Sequence, residues 1–434
     1  MRVDELILKK REGQALTAEE IDFLIKGYVE GRIPDYQMSA WAMAVFFRGM
    51  ETEEIVNLTC SMVYSGEIMD LSSIPGIKLD KHSTGGVGDT TTLVLAPLVA
   101  AAGGKMAKMS GRGLGFTGGT LDKFESIPGF NVNLSREEFI AVVKQVGAAV
   151  IGQSGNLVPA DKKLYALRDV TATVDSIPLI ASSVMSKKIA AGAEAIIIDV
   201  KAGSGALVKT LQEAKELASL LVQIGRGMGR RVKAAVTSME QPLGYAVGNA
   251  LEVKEAVETL QGKGPADLTE LCLVLGAHLL VMGETAPSYE AARMSLEEAL
   301  HSGRAWKKFL EMAAAQGGDT RVLEDVSLLP RASAVVEVKS PGRGFVQSIN
   351  AEAIGRAAVI LGAGRERKED SIDPAVGIVL RKKIGDEVEA GETLAELHAN
   401  EPAYLEKAAA MVSGSYLIGK EKPALPPLIN FWVE

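Results

Sequence analysis

Two glycine-rich stretches, each placed directly after a short predicted strand, constrain the fold of this chain more than any other feature. They span residues 81–92 and 108–125, and both combine glycines with hydroxyl side chains and lysines. Glycine lets backbone N–H groups approach a ligand closely, and successive N–H groups in such a turn bind anions. One such loop would indicate only a tight turn. Two within about one supersecondary unit favour a phosphate site.

The segments around these loops predict an α/β domain. Residues 77–80 and 105–109 are predicted strands that lead into the two loops, and residues 91–102 form an apolar helix between them. Residues 195–200 predict a strand buried on both faces, which is typical of a parallel sheet. Ligands of such sheets bind at the carboxyl ends of the strands, where both loops are predicted to lie.

The regions on either side follow different patterns. The N-terminal region predicts consecutive helices, one of them opened by a capping box of Thr17 and Glu20. From about residue 333 the pattern changes to short strands. We therefore predict a small all-α domain, an α/β domain with a mixed, largely parallel sheet flanked by helices, and a C-terminal α+β domain that resembles a barrel-sandwich. The predicted boundaries are 1–69 with 161–193, 70–160 with 194–332, and 333–434.

Composition narrows the functional classes. The chain has 434 residues, of which 47% are hydrophobic, and a net charge of −8. This acidic balance argues against a nucleic-acid partner, because binding to phosphate backbones needs a basic face. The only cysteines, Cys60 and Cys272, form neither a zinc pattern nor a disulfide framework. No signal peptide or membrane-spanning run is evident, so we expect a cytoplasmic protein without a membrane partner.

The C-terminal strands leave a carrier function open as an alternative. The turns at 385–388 and 391–394 resemble those of biotinyl or lipoyl barrels, which place a modifiable lysine on a hairpin tip. Lys382 and Lys383 are instead predicted to lie in or beside a strand. We interpret this domain as structural.

The order of residues in both loops resembles the thymidine and pyrimidine-nucleoside phosphorylase family. The resemblance rests on residues 81–89 and 110–125, extends to 166–171 and 182–188, and covers nearly the whole chain. It implies reversible phosphorolysis of uridine, thymidine and deoxyuridine to the free base and α-D-(2-deoxy)ribose 1-phosphate. Phosphate would attack directly and invert the anomeric centre. Inorganic phosphate would be the co-substrate, with no organic cofactor.

The resemblance also implies roles for individual residues. Phosphorolysis requires a phosphate held beside the anomeric carbon and a stabilised pyrimidine leaving group. The phosphate-binding residues would be Lys81, Ser83, Thr92, Lys108, Ser110 and Thr120. The catalytic and pyrimidine-binding residues would be His82, Arg168, Ser183 and Lys187.

The base-side assignments have structural alternatives. Ser183 and Lys187 are four residues apart and would project from one side of a helix. His82 is the titratable group placed for acid–base work near neutral pH, and our hypothesis is that it hydrogen-bonds or protonates the pyrimidine O2. Without the resemblance, Arg168 would be interpreted as an ion pair with its neighbour Asp169, and Lys187 with the next lysine as a solvated face.

Two further expectations concern specificity and a cation. Lys108 occupies a position that is lysine in broad pyrimidine-nucleoside phosphorylases and tends to be apolar in strict thymidine phosphorylases. We therefore expect uridine to be a substrate, unless this lysine only adds charge at the phosphate site. The resemblance also implies a weakly held K⁺ or Na⁺, although Glu255 alone would be interpreted as a helix-surface residue. The implied cation site consists of Gly88, Thr90, Leu243, Ala246 and Glu255.

The apolar residues Trp41, Phe46 and Phe47 of the helical domain could form a dimer surface. Core packing explains them equally well. We expect a homodimer through this domain.

Parts of the sequence also fit two other enzyme classes. Residues 113–118 match the GxGxxG pattern of dinucleotide-binding oxidoreductases, but Pro128 and Gly129 interrupt any long helix after it. A phosphoribosyltransferase of the same architecture would need an acidic pair for Mg²⁺-bound pyrophosphate, and none is evident. We therefore keep the phosphoribosyltransferase as the alternative and regard the oxidoreductase as the weaker one.

Overall fold

The computed structural model describes residues 1–434 with the exception of Leu114, Ser154, Glu366 and Lys368. Its N-terminal part is a set of four helices. The predicted capping box opens the second of them, because Thr17 and Glu20 each accept a hydrogen bond from the other's backbone N–H. The helices are α1 (Val3–Arg11), α2 (Ala18–Val29), α3 (Asp35–Arg48) and α4 (Thr52–Val63).

The three apolar residues predicted for a dimer surface differ in their exposure to solvent. Trp41 is completely buried in the core, so the core alternative is correct for this residue. Phe47 is 76% exposed and Phe46 is 38% exposed, and their rings contact each other edge to face. Only the two phenylalanines therefore remain available as surface residues.

Strands and helices alternate through the central part of the chain. They are β1 (Lys78–Ser83), α5 (Thr91–Ala101), β2 (Lys105–Met109), α6 (Thr120–Phe124), α7 (Arg136–Val146), β3 (Ala148–Ile151), α8 (Pro159–Asp169), α9 (Ile177–Ala190), β4 (Ala195–Ala202), α10 (Leu211–Gly227), β5 (Arg231–Ser238), β6 (Ala246–Val247), α11 (Asn249–Leu260), α12 (Ala266–Met282), α13 (Tyr289–His301), α14 (Arg304–Ala315), α15 (Arg321–Glu324) and a 3₁₀ turn (Val326–Leu328).

The C-terminal part is rich in antiparallel strands, as predicted. Its elements are β7 (Ala334–Lys339), β8 (Gly344–Ile349), α16 (Ala351–Leu361), β9 (Gly377–Leu380), β10 (Glu387–Val388), β11 (Thr393–Ala399), α17 (Pro402–Ser415), β12 (Tyr416–Gly419) and β13 (Ile429–Val433). One sheet has the order β10-β8-β12, and the other has the order β6-β9-β11-β7. The second sheet recruits β6 from the central part, so the two parts share a hydrogen-bonded edge.

The central sheet has six strands in the order β13-β5-β4-β1-β2-β3. The five strands from β5 to β3 in this order are parallel, and the edge strand β13 pairs antiparallel with β5. All eight residues of β4 are buried, which confirms a strand covered on both faces. The prediction of a mixed, largely parallel sheet is confirmed, and both glycine-rich loops follow its strands at the carboxyl ends.

Two helices of the central part pack against the N-terminal helices. α9 lies against α4, and α8 lies against α2 and α3. The helical pattern predicted across 161–188 is interrupted at residues 170–176, where Ala172 has a positive φ of 53°. α8 and α9 therefore face the ends of β1 and β2 across a gap.

Candidate active site

A cavity of about 1070 Å³ lies between the carboxyl ends of β1 and β2 and the helices α8 and α9. The predicted phosphate and base residues line it, with one exception: Lys81 is 1% exposed and lies beneath the first loop. The lining members of the predicted set are His82, Ser83, Thr92, Lys108, Ser110, Thr120, Arg168, Ser183 and Lys187.

The first loop connects β1 to the N-terminus of α5. Ser83 is the last residue of β1, and its hydroxyl accepts a hydrogen bond from Gly85 N–H at 3.3 Å. Thr92 lies in the first turn of α5, whose first N–H groups have no partner within the helix. A helix N-terminus of this kind, beside two hydroxyls, suits an oxyanion.

The second loop folds back on itself around Asp122. A Cβ on Gly119 would lie 2.0 Å from the Gly113 nitrogen, so only glycine allows this approach. Asp122 accepts from Gly113 N–H at 2.8 Å and pairs with Arg365 of the C-terminal part at 2.9 Å. These contacts fix the loop that carries Ser110 at one end and the N-terminus of α6 at the other.

Lys81 sits between two carboxylates. Its Nζ lies 3.1 Å from Asp199 and 3.5 Å from Asp89, and Asp199 also pairs with Lys201 at 2.8 Å. Burial opposes the charged lysine, but the negative charges of Asp89 and Asp199 outweigh it and raise the pKa of Lys81. Lys81 is therefore a fixed, largely neutralised cation beneath the cavity.

A second buried cluster lies at the end of β2. Lys188 donates to Asp80 at 2.7 Å and to the Met109 carbonyl at 2.6 Å, and Lys108 lies 3.4 Å from Asp80. Burial lowers the pKa of Lys108 to about 7, with Asp80 opposing the shift and Lys188 adding to it. Interpreting the two adjacent lysines of α9 as a solvated face is wrong for Lys188, which is 3% exposed.

His82 faces the cavity among four lysines. Burial, followed by the positive charges of Lys188, Lys108, Lys187 and Lys81, holds the pKa of His82 well below its usual value. The imidazole is therefore neutral at neutral pH. The acid–base role of His82 stays a prediction, and the lowered pKa favours a hydrogen-bonding role for the neutral ring.

Arg168 is held by backbone carbonyls instead of an acidic partner. Its Nε donates to Thr173 at 3.1 Å, Nη2 to Val174 at 2.6 Å and Nη1 to Leu179 at 3.2 Å. The alternative of a local ion pair with the neighbouring aspartate is therefore wrong. Burial lowers the pKa of Arg168 to about 10, which leaves the guanidinium charged at neutral pH.

Ser183 and Lys187 project together from α9, as their spacing predicts. Lys187 Nζ donates to Ser183 Oγ at 2.8 Å and pairs with Asp161 of α8 at 2.5 Å. Asp161 was not predicted as a site residue, and neither were Asp80 and Lys188. Each is distant in sequence from its partner, so local spacing gives no signal for them.

The residues proposed for a cation also converge. A Cβ on Gly88 would lie 2.7 Å from the Leu243 carbonyl oxygen and 3.0 Å from that of Ala246. The hydroxyl of buried Thr90 donates to Glu252 at 3.0 Å, and its Oγ1 lies 3.4 Å from the Gly88 carbonyl oxygen. Glu255 is 5% exposed, which rules out a helix-surface position.

The two carboxylate oxygens of Glu255 differ in their hydrogen bonding. Its Oε1 accepts from Tyr245 N–H at 2.7 Å and Ala246 N–H at 3.0 Å. Its Oε2 is buried with no hydrogen-bond partner within the described residues. Burial raises the pKa of Glu255 to about 8. The described residues contain no group of three or more His, Cys, Asp or Glu that could hold a metal ion.

Comparisons with known proteins agree with this fold and cavity. Residues 76–306, more than half of the chain, match the family described as "Glycosyl transferase family, a/b domain". Residues 4–66 match its helical bundle domain, and residues 345–419 match "Pyrimidine nucleoside phosphorylase C-terminal domain".

Relatives of known name define the family more closely. The chain is 61% identical to a pyrimidine-nucleoside phosphorylase of Geobacillus stearothermophilus over 92% of both chains. It is 59% identical to those of Bacillus subtilis and Staphylococcus haemolyticus, again over 92% of each chain. The chain therefore belongs to the pyrimidine-nucleoside phosphorylase family.

A solved structure shows a similar fold at low sequence identity. Anthranilate phosphoribosyltransferase from Thermus thermophilus superposes with a TM-score of 0.58 at 18% identity, over 71% of this chain and 98% of that one. This similarity concerns the fold alone. The oxidoreductase alternative also lacks support, because the helix after the GxGxxG pattern, α6, has only five residues.

Proposed function

We propose that this protein catalyses the reversible phosphorolysis of pyrimidine nucleosides to the free base and α-D-(2-deoxy)ribose 1-phosphate. The main support is a single cavity that is lined on one side by the two hydroxyl-bearing glycine loops. Its other side is lined by Arg168, Ser183 and Lys187, which would face the base. Membership of the pyrimidine-nucleoside phosphorylase family supports this assignment. Release of uracil from uridine that requires inorganic phosphate tests it, and hydrolysis without phosphate would contradict it.

The phosphate end would hold the nucleophile through neutral donors. Ser83 and Thr92 of the first loop and Ser110 and Thr120 of the second line the same space. Hydroxyls and backbone N–H groups bind an oxyanion without transferring a proton to it, so its oxygen stays nucleophilic. Lys81 remains part of the proposed phosphate-binding set, although its ammonium lies beneath the loop and is largely balanced by Asp89 and Asp199.

The base end would stabilise the leaving group. As a phosphate oxygen bonds to C1′ and the glycosidic bond breaks, the bonding electrons pass to the pyrimidine ring. The charged Arg168 and Lys187 and the hydroxyl of Ser183 would be positioned to stabilise that negative charge. Neutral His82 would donate a hydrogen bond to the pyrimidine O2.

Lys108 supports a broad substrate range. Its Nζ donates to the Lys81 carbonyl and lies at the cavity wall between the two loops. A sugar whose C1′ faces the phosphate would lie near this wall, so we propose uridine, thymidine and deoxyuridine as substrates. Comparable rates on uridine and thymidine would support this range, and a thymidine-only enzyme would contradict it.

We also propose a weakly held monovalent cation, K⁺ in the first instance, at Glu255. Its ligands would be the oxygens of Gly88, Thr90, Leu243, Ala246 and Glu255. The unpartnered Oε2 of Glu255 supports this site, because a buried carboxylate oxygen requires a compensating charge or donor. A bound cation would tie the loop before β6 to the N-terminus of α5. A Glu255→Gln variant that keeps full stabilisation by KCl would contradict it.

The remaining proposals concern assembly and location. The exposed Phe47 and half-exposed Phe46 support a homodimer through the helical part, which light scattering of wild type and Phe47→Ser would test. The free thiols of Cys60 and Cys272 suit a reducing compartment, so we propose the cytoplasm. No helix among the described residues is long and apolar enough to cross a membrane.

We also propose the three-part division predicted above, with 161–193 joining the N-terminal helices. The packing of α8 and α9 on α2 and α4 supports it, as does a separate hydrophobic cluster in the C-terminal part. Limited proteolysis would test it, with first cleavages expected near residues 70 and 333.

A further inference from the structure

Lys383 lies in the C-terminal part of the chain, and the proposed reaction does not use it. Its ammonium nevertheless has three hydrogen-bond acceptors. Its Nζ donates to the carbonyls of Pro242 and Gly244, the latter at 2.7 Å, and pairs with Asp267 at 2.9 Å. The lysine side chain is 12% exposed. This is not the environment of a modifiable carrier lysine, which must be accessible.

The loop that Lys383 contacts is the one that supplies cation oxygens. Along 242–246 the carbonyls divide between two sides. Those of Pro242 and Gly244 face Lys383, whereas those of Leu243 and Ala246 face Gly88. Lys383 therefore holds the side of the loop opposite to the proposed cation.

Contacts from both the central part and the C-terminal part hold this loop. From the central part, Asp267 accepts from Gly244 N–H at 3.2 Å, and Glu255 accepts from the two N–H groups named above. The Tyr245 carbonyl accepts from Leu380 N–H at 2.8 Å, and Gln241 accepts from Ile384 N–H at 2.9 Å. Gly244 has a φ of +67°, and a Cβ there would lie 2.3 Å from Glu255 Oε2. The loop thus passes between Glu255 on one side and the Leu380–Ile384 segment on the other.

We propose that Lys383 is a positioning residue for the monovalent-cation site. By binding the carbonyls of Pro242 and Gly244, it orients the carbonyls of Leu243 and Ala246 toward the cation. It would thereby couple the C-terminal part to the start of α5 and the phosphate loop. This inference rests on the proposed cation site and extends it by naming what holds its ligands in place.

A purely electrostatic effect of Lys383 and a positioning effect predict opposite changes in K⁺ affinity when its ammonium is removed. The inference is therefore testable. Removing the ammonium leaves Asp267 unpaired near the site, so charge alone would tighten K⁺ binding. Loss of the loop geometry would weaken it. In Lys383→Met we expect the KCl concentration that gives half-maximal phosphorolysis to rise about tenfold. We expect kcat at saturating KCl to stay within about twofold of wild type.

The experiment measures rate and thermal midpoint against KCl, with choline chloride keeping the ionic strength constant. The matched control is Lys382→Met, because among the described residues the Lys382 ammonium bonds within its own part, to the Glu387 carbonyl and to Glu392. This control should respond to KCl as wild type does. A double variant, Lys383→Met with Asp267→Asn, removes the ammonium without changing the net charge and should show the same weakened response. If Lys383→Met does not fold, Lys383→Gln, which retains a donor, should give an intermediate rise.

Contrary results separate the two claims. An unchanged or lower half-saturating KCl concentration in the Lys383 variants would overturn the positioning role while leaving the cation site intact. A fall in kcat at saturating KCl, without a change in that concentration, would indicate a merely structural lysine and would also overturn it. If wild type itself gains neither rate nor stability from KCl, the cation site fails and this inference fails with it.

Discussion

The two ends of the active-site cavity hold positive charge in different ways. At the phosphate end, Lys81 is paired with Asp199 and Asp89, and Lys188 is paired with Asp80. At the base end, Arg168 is bound only by carbonyls among the described residues. Lys187 at the base end pairs with Asp161, so Arg168 is the base-end cation that has no ion pair among the described residues. The lysine charges are thus balanced at the phosphate end, whereas the charge of Arg168 is left without an ion pair where negative charge is to develop in the reaction. The comparison predicts that base-end variants affect kcat most, and phosphate-end hydroxyls affect KM.

The largest effect is expected at Arg168. Arg168→Gln removes the uncompensated charge from the base end, so kcat for uridine phosphorolysis should fall by about 10³-fold, as for loss of one strong transition-state donor. Circular dichroism and the thermal midpoint must show a folded protein, because Arg168 also holds three carbonyls. Asp169→Asn is the control and should remain near wild type. A fall of less than tenfold in Arg168→Gln would break the comparison.

The next effect is expected at His82, which lies between the two ends. His82→Ala removes the proposed hydrogen bond to the pyrimidine O2, and we expect kcat to fall about 10²-fold with the fold intact. His82→Asn retains a donor and should recover part of this loss. Turnover of His82→Ala near the wild-type value would refute the role.

A smaller effect is expected at the phosphate end. Ser110→Ala removes one neutral hydrogen bond of about 1 kcal/mol, so the KM for phosphate should rise about fivefold with little change in kcat. Initial rates at varied phosphate and saturating uridine measure both constants. If kcat falls while the KM for phosphate stays constant, the phosphate end acts on the transition state and the contrast between the ends is lost.

The smallest effect concerns pH. Because burial and four lysines hold the pKa of His82 well below its usual value, its neutral form is favoured in the folded protein. Its contribution to stability is present above the unfolded pKa of about 6.5 and is lost as the pH falls toward the folded pKa. NMR of labelled histidine should show the His82 ring titrating well below the ordinary pKa of histidine. A midpoint near 6.5 would show that the surrounding lysines are less effective than their placement indicates.

Much of this contrast was not predictable from sequence. The hydroxyls and glycines of both loops were predictable because they follow one another locally. The strand β4 was predictable from its unbroken apolar run. Asp80 and Asp199, in contrast, lie within strands, and the parallel register that brings Asp199 opposite Ser83 is a property of the sheet. Lys188 meets Asp80 over 108 residues of chain, so no spacing reveals the pair.

The lowered pKa of His82 and the contacts of Lys383 could not be predicted from the sequence for a related reason. A residue's pKa depends on the charges that the fold assembles around it, and those around His82 come from three separate segments. The sequence placed Lys383 near a strand and so argued against a carrier lysine, but it gave no sign of a positioning role. Its contacts with Pro242 and Gly244 depend on the packing of two parts that are distant along the chain.

The antiparallel edge strand β13 has a consequence for biosynthesis. It pairs with β5 through Ile429 opposite Thr237, and the ring of its Trp432 contacts the His278 ring at an angle of 50°, with ring centres 4.1 Å apart. On the ribosome, β5 emerges long before β13, since the whole C-terminal part is translated between them. The β5 edge of the nascent sheet therefore has unpaired backbone groups throughout that interval. Chaperones would be most needed then, to prevent this edge from pairing with other chains.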